Sequence, residues 1–175
     1  MKTELSSLDT LFVTSQAQAL SSEWPVTSFC RAIEGLPKQD ESQKIQWSIR
    51  GKKDSAGHRL LQVKLSGPVL MECQRCLKVF SYQVETENTF LVVTDKAELE
   101  LEDDDPESLE RILASRSFNG FDLLEDELIL SLPYIARHEQ CPSLPKALQI
   151  SKKNQVPSTK ENPFKVLKEL KKDRD

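Results

Sequence analysis

The chain has 175 residues, of which 38% are apolar and 30% charged, and its formal net charge is −4 at pH 7. This length and composition suit one ordinary domain with solvated extensions, and no apolar stretch is long enough for a membrane-spanning helix. The negative net charge argues against unspecific nucleic-acid binding. Four cysteines are too few for a disulfide scaffold, and no signal-peptide pattern is present. We therefore expect a cytoplasmic protein with reduced thiols.

Charge is distributed unevenly along the chain. From Pro142 onward the sequence has nine Lys or Arg against four acids, a net of +5, whereas residues 1–141 have a net of −9. A basic tail on an acidic body is typical of an arm that contacts an anionic partner. A tail that only improves solubility is the alternative, and the charges alone do not decide between the two.

In chain order, residues 1–23 are taken as an N-terminal segment and residues 24–141 as the core domain. We expect a short helix at 16–20, because this stretch mixes Gln, Ala and Leu. A strand is expected over 24–36, where the chain then reaches a Gly and a Pro.

Four further runs alternate apolar with polar residues, and this period of two is typical of half-buried strands. The runs are 45–49, 61–65, 69–73 and 80–84. Short connections between such strands predict an α+β fold with an antiparallel β-sheet or a partly open β-barrel. A few helices and a flexible basic C-terminal tail complete the predicted fold.

Residues 95–110 hold nine acids and one Lys. They are predicted to form an acidic loop rather than a divalent-ion site, because their carboxylates lack the spacing of a coordinating loop. A helix is predicted next, capped by Asn119 or Asp122 and stopped by Pro133. We interpret the acids at 125–127 as a solvated face that the helix dipole favours.

The C-terminal region is predicted as a linker over residues 142–161 and an amphipathic helix over 162–172. So short a helix is marginal alone in water, so it is expected to dock on its own domain or on a partner. Candidate RNA- or partner-binding residues are two bases near the first cysteines and the basic and apolar side chains of the tail: Arg75, Lys78, Lys152, Lys153, Phe164, Lys165, Leu167, Lys168 and Leu170.

Two short pairs of residues are candidate metal ligands. Cys73 and Cys76 are separated by two residues, and His138 and Cys141 follow after 61 intervening residues. Together they have the number and type of ligands of a structural zinc site. Buried thiols without a metal are the alternative, which the long separation favours. A redox pair is disfavoured, because a catalytic CxxC normally opens a helix.

No set of titratable residues is spaced for catalysis. The chain lacks a glycine-rich phosphate loop and a hydrolase serine motif. A thiol- or metal-dependent nuclease is the remaining enzymatic alternative, and no arrangement of residues supports it. We therefore expect a protein without enzymatic activity.

Three segments, in this order, resemble one family. They are residues 71–77 (MECQRCL), 125–133 (EDELILSLP) and 162–167 (NPFKVL), which are similar to the bacterial large ribosomal RNA subunit accumulation protein family (YceD type). The resemblance implies a non-enzymatic cytoplasmic protein that is needed for large-subunit (23S) ribosomal RNA to accumulate, through its synthesis, processing or stability. Some relatives carry more cysteines after the helix, in keeping with metal binding, whereas this chain has only His138 and Cys141 there.

Two functions follow as hypotheses. In the first, a ribosome biogenesis factor binds precursor large-subunit RNA or an assembling particle, with the β domain as platform and the basic tail as docking arm. In the second, an adaptor uses its acidic body to engage a basic ribosomal protein or assembly factor without contacting RNA. No membrane partner is expected.

Overall fold

The computed structural model describes residues 5–100 and 109–142. These residues form an α+β fold in which helices and an N-terminal segment accompany one sheet. The elements are α1 (Thr10–Ser15), β1 (Ala19–Pro25), β2 (Lys44–Lys53), β3 (Arg59–Glu72), β4 (Val79–Val93), α2 (Lys96–Leu99), β5 (Arg111–Leu113) and α3 (Gly120–Ser131). A 3₁₀ helix, Val26–Ser28, follows β1 directly.

The described strands form one open sheet in the order β1-β2-β3-β4-β5. The first four strands pair antiparallel, whereas β5 is parallel to β4. The predicted α+β class is confirmed, and of the two predicted architectures the open sheet is the one that forms. The parallel β5 was not predicted, because its three residues are too few to show an alternating pattern.

Alternating burial explains why these segments are strands. The apolar residues of β2 face the core, and the polar residues between them face the opposite side of the sheet. The pattern continues through β3, so the runs predicted at 61–65 and 69–73 are one strand. Gly67 lies between the two runs, where a Cβ would be only 2.5 Å from the carbonyl oxygen of Lys44. A side chain is therefore excluded where Gly67 approaches the backbone of Lys44, and the strand continues because glycine is present.

The N-terminal residues contribute to the core of the described fold. Leu5, Leu8 and Val13 are buried. Leu8 also exchanges two backbone hydrogen bonds with Phe118, just before α3. This segment is therefore packed into the same hydrophobic core as the sheet.

Two local predictions in this region are wrong. Residues 16–20 do not form a helix, because Ala17 has a φ of 50° and β1 begins at Ala19. The helix lies earlier, where the Asp9 side chain caps its first turn. The strand predicted over 24–36 is also wrong, because β1 ends at Pro25. One inward-facing residue of β1 is a serine, so the sequence shows no clear alternation of apolar and polar residues.

Helix α3 begins and ends where the sequence predicts. The Asn119 side chain accepts hydrogen bonds from backbone N–H groups of the first turn. The last helical residue is Ser131, shortly before Pro133. Leu124 and Leu128 are fully buried, so one face of the helix packs on the core.

Two of the three acids at 125–127 are buried and only Asp126 is exposed, which corrects the prediction of a solvated face. Glu125 and Glu127 are only 4% and 3% exposed. Arg31 donates to the Glu125 carboxylate from its backbone N–H at 2.8 Å and from Nε at 2.7 Å. Asn88 Nδ2 donates to Glu127 at 2.7 Å, yet burial, the largest influence, raises the pKa of Glu127 above its usual value. These partners are distant in sequence, so the pattern of α3 alone did not reveal them.

The chain divides into two units, residues 1–140 and 141–175. Of the second unit only Cys141 and Pro142 are described. The rest of the predicted linker, the helix predicted at 162–172 and residues 101–108 of the acidic segment lie outside the described residues, so the domain boundaries remain predictions. Within the described ranges, no helix has the length and apolar character needed to cross a membrane.

Candidate metal centre

The turn between β3 and β4 carries the first two candidate ligands. Cys73 N–H donates to the Lys78 carbonyl oxygen at 3.0 Å, and Leu77 N–H donates to the Cys73 carbonyl oxygen at 2.8 Å. Leu77 has a φ of 58°, so the chain reverses through a left-handed residue. Cys73 and Cys76 are 0% and 7% exposed. The predicted tight connection between strands is confirmed, and both thiols are turned away from solvent.

The segment that follows α3 is hydrogen-bonded to this turn at three points. Gln74 N–H donates to the Ala136 carbonyl oxygen at 2.9 Å, and Gln74 Nε2 donates to the Tyr134 carbonyl oxygen at 3.0 Å. Arg75 Nη2 donates to the carbonyl oxygen of His138 at 3.0 Å. These bonds place His138 beside the two thiols although many residues separate them in sequence.

Four ligand atoms converge at this point. The Sγ atoms of Cys73, Cys76 and Cys141 and a ring nitrogen of His138 all lie within 4.8 Å of one another. Cys76 Sγ is 3.4 Å from His138 Nδ1. In tetrahedral zinc sites with Zn–S bonds of about 2.3 Å, the ligand atoms are about 3.8 Å apart. Small side-chain movements are therefore enough for this cluster to close on one ion, and three thiols with one imidazole form a common zinc donor set.

The Cys73 sulfur lies in surroundings that favour the thiolate. Burial, the largest single influence, acts to raise its pKa. Backbone N–H groups of His138, Cys76 and Arg75, together with the His138 side chain, donate hydrogen bonds to the sulfur, and their combined effect lowers the pKa to about 5. Because the thiolate is the form that binds metals, these hydrogen bonds suit Cys73 to the role of a metal ligand.

The imidazole of His138 is positioned by an aromatic neighbour. Its ring lies against the ring of Phe80 on β4, with 4.6 Å between ring centroids and 37° between ring planes. Phe80, at the start of β4, therefore supports the side chain of His138. Within residues 5–100 and 109–142, this is the one group of three or more His, Cys, Asp or Glu side chains arranged to hold a metal.

The family described as large ribosomal RNA subunit accumulation protein YceD matches residues 61–171. The chain belongs to this YceD family. The large ribosomal RNA subunit accumulation protein YceD of Haemophilus influenzae is 34% identical over 117 residues, which cover 64% of this chain and 65% of the relative. The YceD match contains the four clustered ligands and the three segments of the resemblance, so the predicted family is confirmed. No solved structure matches the chain.

The other predicted site residues of this YceD-family chain have different placements. Arg75 is partly buried, and its guanidinium is engaged with the backbone of residues 138–139. Lys78 is exposed at the end of the cysteine turn. The remaining predicted contact residues lie outside the described residues: Lys152, Lys153, Phe164, Lys165, Leu167, Lys168 and Leu170. For these tail residues an RNA- or partner-binding role stays a prediction.

Three features of the site were missed from the sequence. They are the left-handed Leu77, the N–H groups that stabilise Cys73, and Tyr134, a residue that is 95% exposed beside the cluster. The spacing of Cys73 and Cys76 was a signal for a tight turn with two candidate ligands, but it did not reveal the backbone N–H of His138 that also reaches Cys73. No sequence signal pointed to Tyr134.

Proposed function

We propose that this protein supports the accumulation of large-subunit ribosomal RNA in the cytoplasm, without catalysis, by binding precursor RNA or an assembling ribosomal particle. Its membership of the YceD family, matched over residues 61–171, carries the proposal. The curated relative with that name shares about 65% of its length with this chain, and its name describes large ribosomal RNA subunit accumulation.

The charge distribution supports a division of labour between body and tail. Residues 1–141 have a net charge of −9 and the following residues a net of +5. On the exposed face of the sheet, lysines pair with glutamates: Lys44 with Glu23, and Lys64 with Glu87 at 2.7 Å. Arg50, Lys52 and Lys53 are further cations of β2. Because the tail has a net charge of +5, it is the expected source of salt-sensitive phosphate contacts.

A deletion strain tests the proposed function directly. The ratio of mature large-subunit to small-subunit RNA is expected to fall, with unprocessed or degraded large-subunit fragments, and the intact gene is expected to restore it. A variant with Lys152, Lys153, Lys165 and Lys168 changed to Gln is expected to restore it only in part. Normal RNA ratios in the deletion strain would refute the proposed function.

The second candidate is an adaptor that binds a basic protein and no RNA. The net charge of −9 on residues 1–141 favours it. Binding of purified protein to isolated large-subunit RNA at physiological salt separates the two candidates. Binding that weakens steeply with salt supports the RNA-binding factor. No binding to RNA, with binding to assembling particles retained, supports the adaptor.

We also propose that the four converging ligands hold one structural zinc ion. The donor set fits zinc, and the hydrogen bonds to Cys73 lower its pKa and so favour the thiolate that zinc binds. Four protein ligands leave no open coordination position, which is typical of a structural rather than a catalytic site. Elemental analysis of protein purified without a histidine tag tests this proposal. One zinc per chain is expected, and metal-free folded protein would contradict it.

A further inference from the structure

Strand β4 is much longer than the strand on its outer side. β3 pairs with β4 along the whole stretch from Val79 to Leu91. β5 pairs with β4 only over Leu91–Val93. Among the described residues, the outer edge of β4 at 79–89 therefore faces no neighbouring strand.

The backbone groups that point to this edge follow from the pairing. Leu91 N–H donates to the Glu110 carbonyl oxygen at 2.8 Å, and the Val93 carbonyl oxygen accepts from Ala114 N–H at 2.7 Å. Odd-numbered residues therefore direct their backbone groups away from β3 here. The register between β3 and β4 continues without a bulge, and peptide groups alternate along a strand. The outward N–H and C=O groups thus belong to Ser81, Gln83, Glu85, Glu87 and Thr89.

This edge is accessible, and its outward N–H and C=O groups have the spacing that a pairing strand requires. The side chains of residues 81, 83, 85 and 87 are exposed. A long exposed edge with regularly spaced donors and acceptors is a template for an added strand. Proteins that bind extended peptides use such edges, where main-chain hydrogen bonds supply affinity and alternate side chains supply selectivity.

The charges on the edge indicate what the added strand carries. Glu85 and Glu87 project from the same exposed face, and Glu87 also pairs with Lys64. A second copy paired antiparallel about Thr86 places Glu85 opposite Glu87, which is unfavourable. A strand with Lys or Arg at alternate positions places opposite charges across the pair instead. The residues between them lie on the opposite face of the sheet, the face on which Val84 is buried.

We propose that the outer edge of β4 binds an extended basic peptide of a protein partner by strand addition, with Glu85 and Glu87 selecting Lys or Arg at alternate positions. This site goes beyond the proposed role in RNA accumulation and does not depend on it. Peptide binding is measurable in the absence of RNA.

Amide hydrogen exchange on the full-length, isotope-labelled protein tests the proposal. The probe is a nine-residue peptide of alternating Lys and Val, compared with a peptide of the same composition in blocks and with one of alternating Glu and Val. With the alternating Lys peptide, exchange of the Gln83, Glu85 and Glu87 amides is expected to slow about tenfold or more. Even-numbered amides of β4 are expected to be protected with or without peptide. The other two peptides are expected to have little effect.

Two variants and a matched control sharpen this test. Glu85→Pro removes one outward N–H while leaving the bonds to β3, which come from even-numbered residues, and is expected to abolish binding. Glu85→Lys keeps the backbone intact and is expected to weaken binding of the Lys peptide about tenfold while improving binding of the Glu peptide. Glu23→Lys makes the same charge change on β1 and is expected to leave both affinities unchanged.

Four results would overturn the proposal. Unchanged exchange with the alternating Lys peptide would exclude strand addition. Protection that grows with protein concentration alone would assign the edge to a second copy of the chain. Edge amides that are protected before peptide is added, at every concentration, would assign it to a segment of the same chain. Protection by single-stranded RNA rather than peptide would make the edge an RNA site. Large-subunit RNA levels in the deletion strain are read separately, so either proposal can fail while the other stands.

Discussion

The turn between β2 and β3 and the turn between β3 and β4 have similar lengths, and each has a histidine in contact with one of its side chains. In the first turn, Asp54 accepts from the N–H groups of Ala56 and His58 at 2.9 Å, and its carboxylate lies 2.7 Å from His58 Nδ1. Every partner is within five residues. This turn is exposed and closed by its own residues.

The second turn depends on residues far away in sequence. Cys76 meets His138 across 62 positions, and Gln74 and Arg75 bind the backbone of the segment after α3. Its cysteines are buried rather than exposed. A local turn stabilises a hairpin, whereas this turn also fixes where another part of the domain lies. The difference teaches that a short turn motif is informative about function when its side chains remain unsatisfied locally.

The largest expected effect comes from removing a ligand of the second turn. Cys73→Ser is expected to lose zinc and to lower the melting temperature by about 10 °C or more, because metal binding and folding are coupled. Cys30→Ser is the matched control, since Cys30 is exposed and outside the cluster. It is expected to change neither zinc content nor melting temperature. Equal behaviour of the two variants would contradict a metal role for the second turn.

A smaller effect is expected when the second turn loses a supporting residue rather than a ligand. Arg75→Ala removes the donor to the His138 carbonyl oxygen. Since partners of metal ligands tune affinity, zinc binding is expected to weaken about tenfold while the zinc-saturated protein keeps its fold. Competition with a chromogenic chelator measures this change. Lys78→Ala, an exposed base in the same turn, serves as control and is expected to retain full affinity.

Substitution in the first turn is expected to change the stability of the protein in a pH-dependent way, without changing its zinc content. The hydrogen bond with His58 is the main cause that holds the pKa of Asp54 below its usual value, although partial burial opposes it. Because the folded pKa is lowered, this stabilisation is present above the unfolded value of about 3.9 and is lost as the pH falls through the folded value. Asp54→Ala is therefore expected to lower the melting temperature at pH 7, and its difference from wild type is expected to shrink as the pH falls below about 3.9. Melting curves across this pH range measure the difference, and zinc loss in Asp54→Ala would contradict the independence of the two turns.

The smallest expected effect is a gain in stability at the tip of the second turn. Leu77 is held at a φ of 58° and is 65% exposed, so it loses backbone freedom and packs little. Leu77→Gly is expected to stabilise the zinc-loaded protein by about 0.5 kcal/mol, because glycine adopts this conformation without strain. Denaturant unfolding measures it. A clear loss of stability would indicate that the exposed leucine packs against the turn.

The sequence was sufficient for the elements whose signal is local. The period of two located β2, β3 and β4, and Asn119 with Pro133 bounded α3. The sequence was insufficient where a residue's environment is set by a distant partner. Glu125 is buried because Arg31 reaches it across 94 positions, which no pattern within α3 reveals.

The candidate site was predicted in composition but not in geometry. The four ligand residues were identified by type and spacing, and their separation in sequence favoured thiols without a metal. The structure brings them together because the end of α3 lies beside the turn from β3 to β4. Sequence distance is therefore a poor guide to ligand sets when a sheet and a helix intervene.

The separation of the two ligand pairs along the sequence has a consequence for the entropy of the chain. A metal held by Cys76 and His138 closes a loop of the chain that contains β4, the acidic segment, β5 and α3. The entropic cost of closing a loop grows only logarithmically, by about 0.6 kcal/mol for each doubling of its length. Insertions or deletions in the acidic segment at 95–110 therefore change the strength of this clip very little. The length of this segment is therefore a weak determinant of how tightly such a metal would hold the two ends of the loop together.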